Sequence, residues 1–321
     1  MKILFIICTL VSAFCLSFNT YANAPSQSLD QIMAVVNDDV ITHTELNDAM
    51  ATVKMQIKQA QQPMPSEKIL EKQVLDQLIN KNLQLQMAQQ AGINITTEEL
   101  NQAIQRVAQQ NQLSVSALYD RLKEEGLSPA EYRHEIREQM TIQKLQQQQL
   151  AGKITVTSQE VTHFMQSEAW RANGSKEYHL EDILIPLPDT PSSDEVTAAK
   201  KQADSLLTRL KQGSRFSQLA QLESSGKHAL QGGDLGWRKL PEIPSAFIEA
   251  VSTMKANDIA GPIQTPNGFH LIRLADVRAL ARQDATPDRK QVESYLLQRK
   301  YEEATQNWVS KVRSQAFIKI T

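Results

Sequence analysis

Cysteine is nearly missing from this chain of 321 residues: Cys8 and Cys15 are the only two, and both fall inside the first 22 residues. That stretch, Met1–Ala22, places Lys2 before an apolar run from Ile3 to Phe18 and closes on small residues, the composition of a cleaved secretory signal. Cleavage is expected after Ala22, since a cut after Ala24 would leave Pro25 directly behind it. The mature chain would then carry no cysteine, which excludes disulfides, thiolate nucleophiles and cysteine metal sites and suits an oxidising compartment such as a bacterial periplasm. Phe14 beside Cys15 is too bulky for lipoprotein processing and argues against a lipid anchor. Past the leader no segment approaches the ~20 apolar residues of a membrane span, so no integral membrane segment is expected in the mature chain. An excess of one charge is lacking too. With 34 basic against 36 acidic residues the net charge is −2, which leaves no electrostatic footprint for nucleic acid and makes shape and apolar surface the expected means of binding. His43, His134, His163 and His228 show no ligand spacing and are read as solvated; neither a metal nor any other cofactor is expected.

What the chain does have is punctuation. It is long enough to bury more than one core. Asp30–Thr42 sets apolar residues on both sides of Asn37-Asp38-Asp39, the pattern of a hairpin. Thr42 with Glu45, Thr96 with Glu99, and Ser128 with Glu131 are capping boxes, in which a hydroxyl and a carboxylate satisfy amides left unpaired at a helix start. Helices are predicted from Thr42 to about Gln61, from Ser66 to Ala91 with Gly92 as the stop, from Thr96 to about Asn111, from Ser114 to near Gly126, and from Ser128 to Leu150. Val74, Leu78 and Leu85, with Leu75, Ile79, Leu83 and Met87, surround the second of these and predict a central position; a partly open groove for client peptides is the other reading. Ile154–Val156 reads as a short extended crossing, Ser158 as the cap of a further helix, and Arg171–Lys176 as a domain boundary. Near the end, Thr286-Pro287 opens a long helix to about Ser314 with a stripe of Leu297, Tyr301, Ala304, Trp308 and Val312. Phe317–Ile320 follows as an edge strand expected to pair with the N-terminal hairpin.

Between these parts, Gln231–Trp237 reads QGGDLGW and Gly268–Leu274 reads GFHLIRL, with Pro244, Phe247 and Gly261-Pro262-Ile263 between them. Glycine takes positive φ without steric cost, so such a cluster marks a rigid set of turns. A strand at Tyr178–Ile185, helices at Glu195–Gln212 and Phe216–Leu222, the QGGDLGW segment, a helix at Pro244–Met254 and strands at Ile259–Gln264 and Phe269–Val277 give the order β-α-α-β-α-β-β. In motif and spacing this resembles the parvulin-type peptidyl-prolyl isomerase domain. With the hairpin, the helices, YRHEIREQM and the closing FIKI, nearly the whole mature chain resembles the SurA family of periplasmic chaperones, as a short form with one parvulin-like insert. The fold class implied is α+β: a mostly helical chaperone core at residues 23–173, a parvulin-like domain at 174–279, and a C-terminal helix and strand at 280–321 packing on the N-terminal domain.

The resemblance implies an apolar pocket for a proline ring beside a polar core of two histidines and a cysteine or aspartate. Leu235, Ile243 and Phe247 match the pocket, and Thr265, Asn267 and His270 the polar end. Asp182 stands where the family has a histidine, and Glu223-Ser224 and Gly226 stand where it has His-Ser and the cysteine or aspartate. His179 lies three residues before Asp182, on the opposite face of the strand, and cannot substitute. His270 as a structural residue bound to Thr265 and His270 paired with Asp182 are both open. The loop Pro186–Asp194 has acids and no lysine or arginine, so phosphate recognition is not expected. The function implied is a chaperone for unfolded outer-membrane proteins and their peptides, working towards the outer-membrane assembly machinery. Isomerase activity is expected weak or absent because the polar positions depart from the family; an active isomerase, or an insert that acts as a spacer, are the alternatives.

Overall fold

A computed structural model of the chain describes residues 30–59, 64–124, 126–280 and 287–321. Strands β1 (Ile32–Val36) and β2 (Asp39–Thr42) form the hairpin, with Asn37 at positive φ in the turn. Helices α1 (His43–Gln59) and α2 (Glu67–Gln90) follow, and the expected end of α1 near Gln61 lies outside the described residues. Helices α3 (Thr97–Gln110), α4 (Val115–Glu124) and α5 (Pro129–Leu150) complete the first half. Both reciprocal bonds of the boxes at Thr96/Glu99 and Ser128/Glu131 are made. Leu70, Val74, Leu75, Leu78, Ile79 and Leu83 of α2 join Ala34, Val36, Ile41, Leu46 and Met50 in one core, so α2 is central to it.

Helices α6 (Ser158–Gln166) and α7 (Glu168–Asn173) lead into the second half. Here one expectation fails. The cap of α6 is Thr157, whose hydroxyl accepts from Glu160 N while Glu160 reaches back to Thr157 N at 2.8 Å. Thr-x-x-Glu satisfies both amides where Ser158, one residue on, has no carboxylate three residues ahead.

Next come β3 (Lys176–Pro186), α8 (Ser193–Lys211), α9 (Phe216–Glu223), β4 (Asp234–Lys239), α10 (Ile248–Thr253), β5 (Ile259–Thr265) and β6 (Gly268–Ala279). The sheet has the order β4-β3-β6-β5, all neighbours antiparallel. Side chains alternate between its faces: Ile183, Ile185, Phe269 and Leu271 meet α8 and α9, while Tyr178, Leu180, Ile272 and Leu274 face the other way.

Helix α11 (Arg289–Gln315) and β7 (Ile318–Ile320) close the chain, and β7 pairs antiparallel with β1. Asp288 caps α11 in a reciprocal pair with Gln291; the expected Thr286 lies outside the described residues. Of the expected stripe, Val312 packs against the core around α2, while its first member does not reach a core. Leu297 is 44% exposed, whereas Val292 and Leu296 are buried in one core with Tyr178, Leu180, Ile243, Phe247 and Ile272. Each such side chain contributes about 1.5–3 kcal/mol on burial, so the first half of α11 is fastened to the sheet. Its far end turns to α2, where Arg313 donates to Asp76 at 2.6 Å and Asn80 at 2.9 Å. Among the described residues no helix is long and apolar enough to cross a membrane.

Candidate functional site

Asp182 on β3 and His270 on β6 project from the same face of the sheet as diagonal neighbours, since Leu184 pairs with His270 and Asp182 with Ile272. The Asp182 carboxylate lies 2.9 and 3.1 Å from His270 Nδ1. On the other side of the ring, Nε2 is 3.1 Å from Thr265 Oγ1 and 3.2 Å from Asn267 Oδ1, and Thr265 donates to Asn267 at 2.5 Å. Both ring nitrogens are therefore engaged, and the side chain is only 6% exposed. The Phe247 ring rests on His270 with centroids 5.0 Å apart at 58°.

The QGGDLGW motif supports this arrangement from behind. Gly233 has φ +84°, and a Cβ there would come within 2.4 Å of Asp182 O; its own carbonyl accepts from Asp182 N at 2.8 Å. Only glycine permits that approach. Asp234 and Trp237 serve the sheet rather than the site. Asp234 accepts from Gly236 N at 2.7 Å and lies 2.8 Å from His179 Nε2, while Trp237 is held between the His179 ring and the Arg278 guanidinium.

Asp182, Leu235, Phe247, Thr265, Asn267 and His270 line a cavity of about 240 Å³. Ile243 does not; it is fully buried in the core behind the wall, where it supports Phe247. Of the other departures, Glu223 points away to Arg209 at 3.3 Å, and Ser224 Oγ accepts from the backbone amides of Leu184 and Gly226. These positions hold the loop and do not reach the ring.

The expectation of a solvated His228 is overturned. It is half-buried on the cavity wall, with Nε2 buried and without a hydrogen-bond partner. Burial pushes its pKa below the ordinary 6.5, assisted by Lys227 and Arg238. No local pattern marks it, because the loop that carries it is folded against another part of the chain. Leu230 enters the α1–α2 core, and Gln73 of α2, itself buried, donates to Gln221 O at 3.2 Å and Ser224 O at 2.8 Å. His43 and His134 are exposed beside Asn47 and Glu138, and His163 is exposed. Among the described residues no group of histidine, cysteine and carboxylate side chains could hold a metal ion.

The SurA N-terminal domain matches residues 29–146, and the PPIC-type peptidyl-prolyl isomerase (rotamase) domain matches residues 182–276. The chain thus combines a SurA-type N-terminal domain with one PPIC-type domain. Chaperone SurA of Legionella pneumophila strain Paris is 41% identical over 272 residues, covering 85% of this chain and 62% of that protein. Chaperone SurA of Pseudomonas fluorescens Pf-5 is 40% identical over 263 residues, covering 82% and 62%. The chain thus spans 62% of the length of either relative. A solved chain of the SurA-like chaperones PEB4 and Cj1289 of Campylobacter jejuni aligns over 91% of this chain and 99% of its own, with 16% identity and a TM-score of 0.43. The rotamase match begins at Asp182, the carboxylate on which the His270 ring is fixed.

Proposed function

We propose that the chain is a periplasmic chaperone for unfolded outer-membrane proteins, whose isomerase-type domain binds proline-containing or aromatic segments with little turnover. The observation that carries this reading is the Asp182–His270–Thr265/Asn267 chain beneath Phe247. Isomerisation must favour a twisted amide over both planar forms across a barrier of ~20 kcal/mol. Here both nitrogens of the imidazole beneath Phe247 are already bonded within the chain, which leaves an apolar ring face for a proline and few free groups for a transition state. Removing one interaction that stabilises a transition state slows a reaction roughly tenfold or more. Binding needs only the apolar face. The leader composition of Met1–Ala22 supports export to the periplasm, and delivery of clients to the outer-membrane assembly machinery is the partnership that fits.

A protease-free isomerisation assay on an X-Pro peptide, run beside an aggregation assay on an unfolded outer-membrane protein, tests the reading. Little isomerisation and clear suppression of aggregation are expected. Saturable isomerisation abolished by Phe247→Ala would establish the alternative, an active isomerase. Asp182→His with Gly226→Asp should raise turnover. Gly226 lies outside the left-handed region, and a Cβ there meets Ser224 Oγ at 3.3 Å and Leu184 Cβ at 3.7 Å, so the backbone accepts a side chain once Ser224 Oγ gives by a few tenths of an ångström. No rise would remove the departures as the cause of low activity.

A further inference from the structure

The cavity has a wall that the isomerase-type domain does not supply: Glu302, Glu303, Gln306 and Asn307 of α11 line it. One of them also holds the opposite side. Phe247 sits at the end of a single 3₁₀ turn, Ser245–Phe247, preceded by Pro244, whose side chain offers no cap to the first amide. An amide at a turn start needs an acceptor. Glu303 provides it from the far end of the sequence, accepting from Ser245 N at 2.8 Å and from Ser245 Oγ at 3.2 Å. Arg299, one helical turn earlier, donates to Ile243 O at 3.3 Å and lies 3.8 Å from Glu303. The turn bearing Phe247 is thus tied to α11 on both sides of Pro244.

We infer that the C-terminal helix is an integral wall of the peptide pocket and that Glu303 is a positioning residue for Phe247. The pocket then exists in full only in the whole chain, and a peptide enters between the sheet and α11. This inference rests on the reading of the cavity as a peptide site, and the test separates the two.

Fluorescence anisotropy of the full chain with a labelled Ala-Ala-Pro-Phe peptide is the measurement. Saturable binding by the parent and its loss in Phe247→Ala are expected; failure of the parent to bind overturns both the peptide-site reading and the inference. Glu303→Ala should weaken binding about tenfold, as loss of a charge-assisted bond to a partly exposed group implies. Glu303→Gln keeps an acceptor oxygen and should restore most of the affinity, while Glu303→Asp, which withdraws the carboxylate by one methylene, should behave like alanine and serves if Glu303→Ala unfolds. Tyr295→Phe removes another link between α11 and the sheet domain, the 3.1 Å bond from Lys239 Nζ, without touching the cavity, and should leave affinity unchanged. Unchanged or tighter binding in both the Glu303→Ala and the Glu303→Asp variants, or equal weakening by Tyr295→Phe, overturns the assignment. The ring signals of His270 supply a readout that general loosening of the helix would not move: they should shift in Glu303→Ala, as Phe247 leaves the imidazole face, and stay in place in Tyr295→Phe.

Discussion

Replacing Asp182 by alanine isolates the contribution of the carboxylate to the site. His270 Nδ1 would lose both oxygens at 2.9 and 3.1 Å, in a side chain only 6% exposed. A buried polar group left without a partner costs about 1–3 kcal/mol, and the small exposure of the ring places this case near 2 kcal/mol. For a chain of this size, with an unfolding entropy of about 2.1 cal/mol/K per residue, a change of that magnitude lowers the melting temperature by about 3 °C. Asp182→Asn, which retains an oxygen able to accept from Nδ1–H, should recover more than half of the loss. Thermal unfolding followed by circular dichroism measures stability, and the His270 ring resonances report whether the imidazole keeps its orientation under Phe247. A melting temperature within about 1 °C of the parent for Asp182→Ala, or equal losses for alanine and asparagine, would refute the reasoning, because the carboxylate would then hold nothing that water or a rotated ring does not replace.

Gln73→Ala should release the loop that carries His228, because it removes the donor to Gln221 O and Ser224 O at a cost of about 2 kcal/mol; faster amide hydrogen exchange across residues 224–233 is the expected result, and unchanged exchange counts against it. The lowered pKa of His228 sets a pH dependence. The unfolded chain binds the extra proton between 6.5 and the lower folded value, so stability falls as the pH drops through that window. The charges acting on the ring are Lys227 and Arg238 against Asp234 and Asp182, and His228→Gln should flatten the slope in denaturant titrations at pH 5–7. Glu160 is held down to about 2 by Lys300 of α11 and by the amide of Thr157, so its part in stability is present above 4.5 and lost as the pH falls towards 2. NMR titration of Lys300→Met should return the Glu160 value towards 4.5.

How far the sequence reaches depends on the range of the interaction. The boxes at Thr96/Glu99 and Ser128/Glu131 are read correctly because hydroxyl, carboxylate and amide lie within one turn and need no other part of the chain. The same rule applied one residue off places the cap of α6 at Ser158 rather than Thr157, since both residue types cap and only Glu160 decides between them. The stripe on α11 fails at Leu297 for a different reason, although Val312 packs as expected. Apolar spacing marks two overlapping faces, and the one that is buried, Val292 and Leu296, is chosen by the sheet it meets.

The amino-acid sequence alone determined the α+β class, the glycine-rich turns that include Gly233, the resemblance to the SurA and parvulin patterns, and the placing of His179 on the strand face opposite Asp182. These follow from local sterics and from a period of two along a strand. That Asp182 pairs with His270 was settled by the register of β3 and β6. Tertiary structure decided the rest of the site. Ile243 became support rather than wall, His228 entered the cavity because Gln73 and Leu230 fold its loop onto α2, and Glu303 reached Ser245 across 58 residues. None of these has a sequence period, because each depends on two separately folded surfaces meeting at one orientation, and that orientation is set by the packing of whole cores rather than by any residue's neighbours along the chain.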